Sequence, residues 1–180
     1  MLNQKKDITT YSTGSKIFHW LIAVIVILML SGSFFLDDLP DSYQPFVWLI
    51  HKSFGLTVLF LVIVRFAWIK YYGKPALPAT VPVWEKILAR IVQYSFYLFL
   101  VAMPICGWIM SMAGNRIPSY FGLFKMPLPG IGPNKVLAEL MFQSHKTIAF
   151  ILIALIVFHV AGAIKHHYID KDDVLRKMLP

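Results

Sequence analysis

Charged residues and cysteine are both scarce in this sequence of 180 residues. Asp, Glu, Lys and Arg make up 14% of the chain, whereas hydrophobic residues make up 58% and the mean hydropathy is +0.66. A water-soluble domain cannot bury that much apolar surface, so this composition predicts an integral membrane protein. There is a single cysteine, Cys106, and it lies in a hydrophobic run. One cysteine excludes both an intramolecular disulfide and the Cys-x-x-Cys-His motif that attaches c-type haem.

Acidic residues are also few, with 9 Asp and Glu against 17 Lys and Arg and a net charge of +8. Such a balance is found in nucleic-acid-binding proteins, but in a membrane protein it indicates contact with anionic lipid and a basic cytoplasmic face. We therefore expect membrane lipid as a partner and no nucleic acid. The first hydrophobic run lacks a small-residue cleavage pattern, so we expect no cleaved signal peptide.

Four hydrophobic runs are long enough to cross a bilayer, and they predict one domain over residues 1–180. The predicted spans are 17–36, 47–69, 90–112 and 144–168. The fold class predicted is therefore an all-α membrane protein, a bundle of four transmembrane helices.

Glycine and proline in residues 113–143 predict a structured loop, followed by a short helix from about Asn134. Residues 170–179 predict an amphipathic surface helix with Asp170 as its N-cap.

The distribution of basic residues predicts the orientation of the bundle. With four spans, twelve Lys and Arg fall on the side of the N-terminus and five on the other side, which accounts for all 17. The side richer in Lys and Arg is normally cytoplasmic, so both termini are expected there.

Two histidines mark opposite ends of the last span. His145 and His159 are 14 residues apart, which is almost four whole turns of an α-helix, so both point to one face about 21 Å apart along the axis. His166, seven residues further, falls on the same face. Two histidines on one face of a membrane helix indicate two stacked metal centres whose opposite ligands come from other spans.

The histidines of the first two spans match His145 and His159 in depth. His19 begins span one, at the level of His159, and His51 begins span two, at the level of His145. We call His19 and His159 the inner pair, and His51 and His145 the outer pair. Each pair is predicted to hold one haem iron from both sides, a closed site that favours electron transfer over oxygen binding. The alternative is that intramembrane histidines form hydrogen bonds between helices.

Small residues and one arginine support this interpretation. Gly55 and Gly162 lie on the faces of His51 and His159 and would let a porphyrin approach the backbone. Arg65 repeats the phase of His51 at the depth of the inner pair, where it could bind a haem propionate. Ordinary helix packing explains the glycines equally well, and an interfacial position explains the arginine.

Three further residues are weaker candidates. His166 shares the ligand face and is the candidate to contact a quinone or relay its protons, although solvation at the interface would also explain it. Lys52 and Lys146 adjoin the outer pair, where they either anchor helix ends or form a positive outer surface that attracts an anionic partner.

Taken together, these motifs resemble the bacterial di-haem cytochrome b-561 family over nearly the whole chain. The matching residues are Phe18-His19-Trp20, Trp48 to His51 with Gly55, Arg65, Met103 to Gly107, Ser144-His145, His159, His166-His167-Tyr168 and Lys171-Asp172. The resemblance implies a bundle in the bacterial cytoplasmic membrane that encloses two b-type haems and exchanges electrons with quinone near the inner haem and His166. It also implies oxidation of superoxide at the outer face and reduction of ubiquinone, that is, a superoxide:ubiquinone oxidoreductase.

Two other functions stay open at this point. One is the haem b membrane subunit of a larger dehydrogenase or hydrogenase, which would require a soluble redox partner subunit. The other is a metal or proton transporter that uses the histidines as a relay, which predicts no haem absorption. No catalytic residue beyond the haem ligands is assigned by the sequence.

Overall fold

The computed structural model describes residues 8–35 and 38–179, and four long α-helices dominate it. They are α1 (Thr13–Ser33), α2 (Gln44–Tyr72), α3 (Val83–Ala113) and α4 (Lys135–Ile164), and a π-helical turn over Lys165–Ile169 continues α4. Two short antiparallel strands, β1 (Ser119–Tyr120) and β2 (Phe124–Lys125), form a hairpin in the connection between α3 and α4. All four helices are long and apolar enough to cross a membrane, which confirms the predicted four-span, all-α architecture.

The helices extend beyond most of the predicted spans. α3 begins at Val83 rather than near Arg90, and α4 begins at Lys135 rather than at Ser144. Asn134 caps α4 by accepting a hydrogen bond from Leu137 N at 3.0 Å, so the short helix predicted from Asn134 is the start of α4 itself. Hydrophobic runs mark only the part of a helix that lies in hydrocarbon, whereas the helix continues into the polar interface. Leu36, the predicted end of the first span, and Lys5 and Lys6, two of the twelve basic residues counted for the orientation, lie outside the described residues.

The segment after the π-helical turn forms turns, so the amphipathic helix predicted for it is wrong. Lys171 has a φ of 55°, a left-handed conformation that does not continue a right-handed helix. Asp172 accepts a hydrogen bond from Val174 N at 2.9 Å, which closes a local turn where a capped helix was expected.

This tail lies against the N-terminal segment. Tyr11 N donates to the carbonyl of Lys177 at 3.3 Å, and the indole of Trp20 donates to the carbonyl of Met178 at 3.0 Å. The residues just before α1 and the tail after α4 therefore lie at the same end of the bundle, as four spans require.

The outer surface of the helices is apolar. Leu28, Phe60 and Phe158 are 66%, 66% and 70% exposed, although each lies within a spanning helix. Lipid tails solvate such side chains as well as a protein core does, so a membrane bundle tolerates them. The buried apolar core is correspondingly small and consists of Ile22, Val26, Leu30, Val58, Leu61, Val62 and Leu152.

The helices pack in sequence order, α1 on α2, α2 on α3 and α3 on α4. Within the described ranges, α4 has no comparable backbone packing on α1 or α2. The facing sides of α4 and these two helices are therefore bridged by side chains, and histidines are among them.

Candidate metal centres

The structure brings His19 of α1 and His159 of α4 together. Their ring centres are 6.1 Å apart, and the planes cross at 67°. Phe96 of α3 approaches His159 edge-on at 5.5 Å. The inner pair thus spans two helices whose backbones do not pack closely, with an aromatic residue of a third helix beside it.

His51 of α2 and His145 of α4 form an equivalent arrangement at the other end of the bundle. Their ring centres are 6.2 Å apart with an interplanar angle of 61°, and Trp48 lies edge-on to His51 at 5.9 Å. A ring nitrogen lies about 1.1 Å from the centre of an imidazole and binds a metal at about 2.0–2.1 Å, so two imidazoles on opposite sides of one metal have ring centres about 6.3 Å apart. Both pairs fit that spacing.

α3 holds the ring of His145 in place. Nδ1 of His145 lies 2.9 Å from the carbonyl oxygen of Met103. A carbonyl can only accept, so Nδ1 carries the proton in this bond and Nε2 is the nitrogen with a free lone pair. The ring also lies against Gly107, where an added Cβ would be only 3.2 Å from Nδ1 and Cε1 of His145. The lack of a side chain at Gly107 therefore allows this close approach.

An apolar layer separates the two pairs. Val58 and Leu152 are 4% and 0% exposed, and each lies seven residues, about two turns, after the outer-pair histidine of its own helix. Val26 of α1 joins them in the same buried cluster. Any charge that passes between the pairs therefore crosses a dry, low-dielectric layer.

The two glycines that the sequence placed beside the histidines leave space. A Cβ at Gly162 would meet nothing within 4 Å, and one at Gly55 would meet only the terminal methyl of Met29 at 3.9 Å. These positions can accept a flat group against the backbone. This geometry fits a porphyrin better than ordinary helix packing, in which a small residue contacts a neighbouring helix.

Arg65 of α2 lies at the level of the inner pair. Its Nη1 donates to the hydroxyl of Tyr97 at 2.9 Å, whereas its buried Nε has no hydrogen-bond partner in the described part of the chain. The guanidinium interacts electrostatically with both His19 and His159. Because no carboxylate of the described residues forms an ion pair with it, the half-buried Arg65 presents a positive charge and a free donor to an anionic group.

Tyr11, just before α1, also lies near Arg65. Burial raises the pKa of Tyr11, and the positive charge of Arg65 opposes that rise. Tyr11 therefore lies close to the arginine beside the inner pair.

His166 lies in a cluster of charged side chains at this same end. Its Nδ1 is 2.7 Å from Asp172 Oδ2 and 3.2 Å from Asp170 Oδ2, and its Nε2 is 3.8 Å from Glu85 Oε2. Lys165 forms ion pairs with both Glu85 and Asp170 at 2.8 Å. Three carboxylates and one ammonium group therefore surround the imidazole.

A cavity of about 700 Å³ opens beside the outer pair. Lys52, Arg116 and Trp48 line it together with one acidic residue, Asp41, and Lys52 donates to Ser111 Oγ at 2.9 Å. Lys146, the other predicted member of the positive surface, is exposed and is not part of the lining. The sequence analysis did not single out Arg116, because a residue in a loop between helices cannot be placed by helical spacing.

Comparison with known proteins identifies the family. The profile of the family described as prokaryotic cytochrome b561 matches residues 10–180. The chain is 32% identical to "Cytochrome b561 homolog 2" of Escherichia coli (strain K12) over 172 residues, which cover 94% of this chain and 90% of that protein. It is 31% identical over 163 residues to the Yersinia pestis protein named "Probable superoxide oxidase CybB", with 90% of this chain and 91% of that protein covered.

A third relative, "Cytochrome b561 homolog 1" of Escherichia coli (strain K12), is 25% identical over 164 residues, 90% of this chain and 92% of that protein. The match with the family profile extends over all four spanning helices. The chain therefore belongs to the prokaryotic cytochrome b561 family, bacterial membrane proteins that bind b-type haem and transfer electrons across the membrane.

Proposed function

We propose that this protein carries electrons through two b-type haems stacked across the bacterial cytoplasmic membrane, within a single domain of residues 1–180. The observation that supports this most strongly is the two facing imidazole pairs, with ring centres 6.1 and 6.2 Å apart. His19 and His159 would hold the inner iron, and His51 and His145 the outer iron. A haem whose two axial positions are both taken by histidine supplies one-electron transfer.

The protein around each pair prepares it for this role. The Met103 carbonyl fixes the ring of His145 and leaves Nε2 for the metal, as partners in the outer shell of metal sites commonly do. Arg65, fixed by Tyr97, offers its unpaired Nε to a propionate of the inner haem. Gly55 and Gly162 provide the flat backbone surfaces.

The electron donor proposed is superoxide at the outer face. Lys52 and Arg116 outnumber Asp41 and give the cavity beside His51 a net positive charge, which attracts a small anion and raises its rate of encounter. Lys146 adds to this charge from outside the cavity. Trp48 lines the cavity and contacts His51, so it lies between a bound donor and the outer pair. The name of the Yersinia pestis relative points to the same donor.

The electron acceptor proposed is ubiquinone at the cytoplasmic side. Two superoxide ions give two electrons and leave as two O₂, and one quinone takes those two electrons with two protons to become quinol. His166 and its carboxylates are suited to hold and supply protons at that end. The basic residue bias places both termini on the cytoplasmic side.

One preparation tests the proposal. Purified protein in detergent should contain about two haems per chain, both low-spin by their spectra, and His51→Ala should retain about one. Superoxide should reduce the wild-type haem, and added decylubiquinone should reoxidise it. Absence of haem from the wild type would overturn the proposal and favour the transporter. Haem that superoxide does not reduce, in a protein that co-purifies with a soluble redox subunit, would favour the dehydrogenase or hydrogenase subunit.

A further inference from the structure

A single buried serine connects the two basic residues of the cavity beside the outer pair. Ser111, in the last turn of α3, is 5% exposed and is not part of the cavity lining. Its hydroxyl accepts a hydrogen bond from Lys52 Nζ at 2.9 Å and donates one to the carbonyl of Arg116 at 2.5 Å. One hydroxyl group therefore links a side chain of α2 to the loop that carries Arg116.

The main chain of Arg116 is also held by the backbone at the end of α3. Its N–H donates to the carbonyl of Ser111 at 2.9 Å, and Asn115 N donates to the carbonyl of Met112 at 3.0 Å. With Asn115 in a left-handed conformation, at a φ of 57°, these two bonds form the Schellman motif that commonly ends a helix. The backbone thus holds Arg116 whether or not residue 111 has a hydroxyl, whereas the contact with Lys52 requires that hydroxyl.

The two basic residues need a group that holds them near each other. The positive charges of Lys52 and Arg116 interact with each other, and like charges repel. Lysine carries its ammonium group on a flexible stem of four carbons, which could turn that group away toward water or lipid headgroups. In the part of the chain that the structure describes, the hydroxyl of Ser111 is the hydrogen-bond partner of this ammonium group. Ser111 therefore opposes the repulsion and keeps both charges at the cavity.

This arrangement leaves hydrogen-bond donors for a ligand. An ammonium group has three N–H donors, and Ser111 accepts from one of them. No ion pair within the described ranges involves the ammonium group of Lys52 or the guanidinium of Arg116. Since both residues line the cavity, both present free donors to an anion there.

We propose that Ser111 is a positioning residue for the anionic electron donor, because its hydroxyl holds the ammonium group of Lys52 beside Arg116 so that both charges act on the same small anion. This inference rests on the proposed function and deepens it, since it names the group that sets the geometry of the donor site. Ser111 lies outside the cavity lining and acts through Lys52. It therefore affects the rate at which the anion arrives and not the ability of the haem to accept an electron.

A second buried serine provides a matched control. Ser53 of α2 is 0% exposed, and its hydroxyl accepts a hydrogen bond from Phe121 N at 2.8 Å, in the same loop. The other partners of this hydroxyl are the carbonyls of Leu49 and Ser119, so it contacts neither of the two cations. Ser53→Ala should thus loosen the loop as Ser111→Ala does, but leave the ammonium group of the cavity in place.

The test measures reduction of the haem-containing protein by superoxide in stopped-flow experiments at several salt concentrations. Ser111→Ala should slow reduction about two- to tenfold at low salt and make the rate less dependent on salt. Ser111→Thr, which keeps the hydroxyl, should restore most of the rate, and Ser53→Ala should retain the salt dependence of the wild type. In a Lys52→Gln background, Ser111→Ala should change the rate by about twofold or less, because the charge that it positions is gone. Haem content and haem spectra should be unchanged in all of these variants.

A second measurement does not depend on superoxide. Acetylation of Lys52 by sulfo-N-hydroxysuccinimide acetate, followed by mass spectrometry, reports whether the ammonium group is held. One net hydrogen bond corresponds to a factor of about two to ten in an equilibrium. Labelling of Lys52 should be faster by about this factor in Ser111→Ala and unchanged in Ser111→Thr and Ser53→Ala.

The outcomes separate this inference from the proposed function. Wild-type protein that contains haem but is not reduced by superoxide would contradict the proposed donor, and the labelling would still decide whether Ser111 holds Lys52. Wild-type protein that superoxide reduces, with Ser111→Ala unchanged in rate and salt dependence, would overturn only the role of Ser111. Equal losses in Ser111→Ala and Ser53→Ala would also overturn that role, because loosening of the loop would explain both.

Discussion

The outer and inner pairs share one spacing but differ in what surrounds them. At the outer pair, backbone groups dominate, since a carbonyl of α3 holds one ring and a glycine of the same helix admits it. At the inner pair, charge dominates, since the half-buried Arg65 interacts with both rings and has no ion-pair partner in the described ranges. The outer site is thus set by shape and the inner site by electrostatics, which suits an outer site that receives electrons and an inner site coupled to protons.

The largest effect expected is loss of one haem, and it differs in consequence between the pairs. His51→Ala should abolish reduction of the protein by superoxide, because it removes the site next to the basic cavity. His19→Ala should keep that reduction but abolish electron transfer to quinone. Haem content and stopped-flow reduction measure both effects. Equal loss of superoxide reduction in the two variants would contradict the assignment of outer and inner roles.

Glycine substitutions should break the two pairs in different ways. Alanine at Gly107 places a Cβ 3.2 Å from His145, and overpacking of this kind costs about 1–3 kcal/mol, so we expect faster loss of the outer haem and an altered low-spin signal. At Gly162 an added Cβ meets nothing within 4 Å in the protein, so Gly162→Val should leave the fold intact but exclude the inner haem. Electron paramagnetic resonance and haem content report each effect. A Gly162→Val protein with both haems would show that no flat group lies there.

Removal of the Arg65 charge should change the midpoint potential of the inner haem rather than the number of haems bound. In general, a unit charge at a distance of about 8–16 Å is worth about 1–2 kcal/mol at an effective dielectric constant of about 20, or roughly 45–90 mV for one electron. Arg65→Leu should lower the midpoint potential of the inner haem by that amount, because the reduced state loses a favourable charge. Tyr97→Phe, which keeps the charge and removes one hydrogen bond, should shift it less. A redox titration in which the outer potential moves instead would refute the placement.

The smallest effect expected is on the rate of encounter with the donor. Neutralising Lys52 or Arg116 with glutamine should slow reduction by superoxide roughly two- to tenfold at low salt, and added salt should diminish the difference. Lys146→Gln is the matched control, because Lys146 lies outside the cavity lining, and its effect should be smaller. Stopped-flow rates at several salt concentrations decide this, and equal effects at all three positions would argue against a specific cavity.

Helical periodicity explains why so much of the arrangement could be predicted. The spacing of His145 and His159 fixes their common face, and hydrophobic runs fix the four spans. Arg65 could be placed in depth by its phase relative to His51. The contact of Arg65 with Tyr97 could not be predicted, because the rotation of α3 relative to α2 depends on packing between the helices and not on the sequence of either helix alone.

Helical periodicity could not predict the contacts made by residues in irregular segments. Arg116 reaches the outer cavity because the loop that contains the β1–β2 hairpin folds back onto α2, where Ser53 accepts a hydrogen bond from Phe121 N at 2.8 Å. The surroundings of His166 depend on a π-helical turn, and no periodic pattern predicts where a helix widens. The predicted tail helix was wrong for a related reason, since Asp172 bonds to the backbone of a local turn and to His166.

Each facing histidine pair takes one member from α4, the last spanning helix to be synthesised. While the ribosome is still translating the first three spans, neither pair can be complete, although α1, α2 and α3 already have packing partners in one another. In the proposed function, haem insertion would thus be delayed until translation is nearly finished, and both centres would become available almost together. A truncated chain released before α4 would hold His19 and His51 in the membrane without opposite ligands, and so would retain no redox-active iron between them.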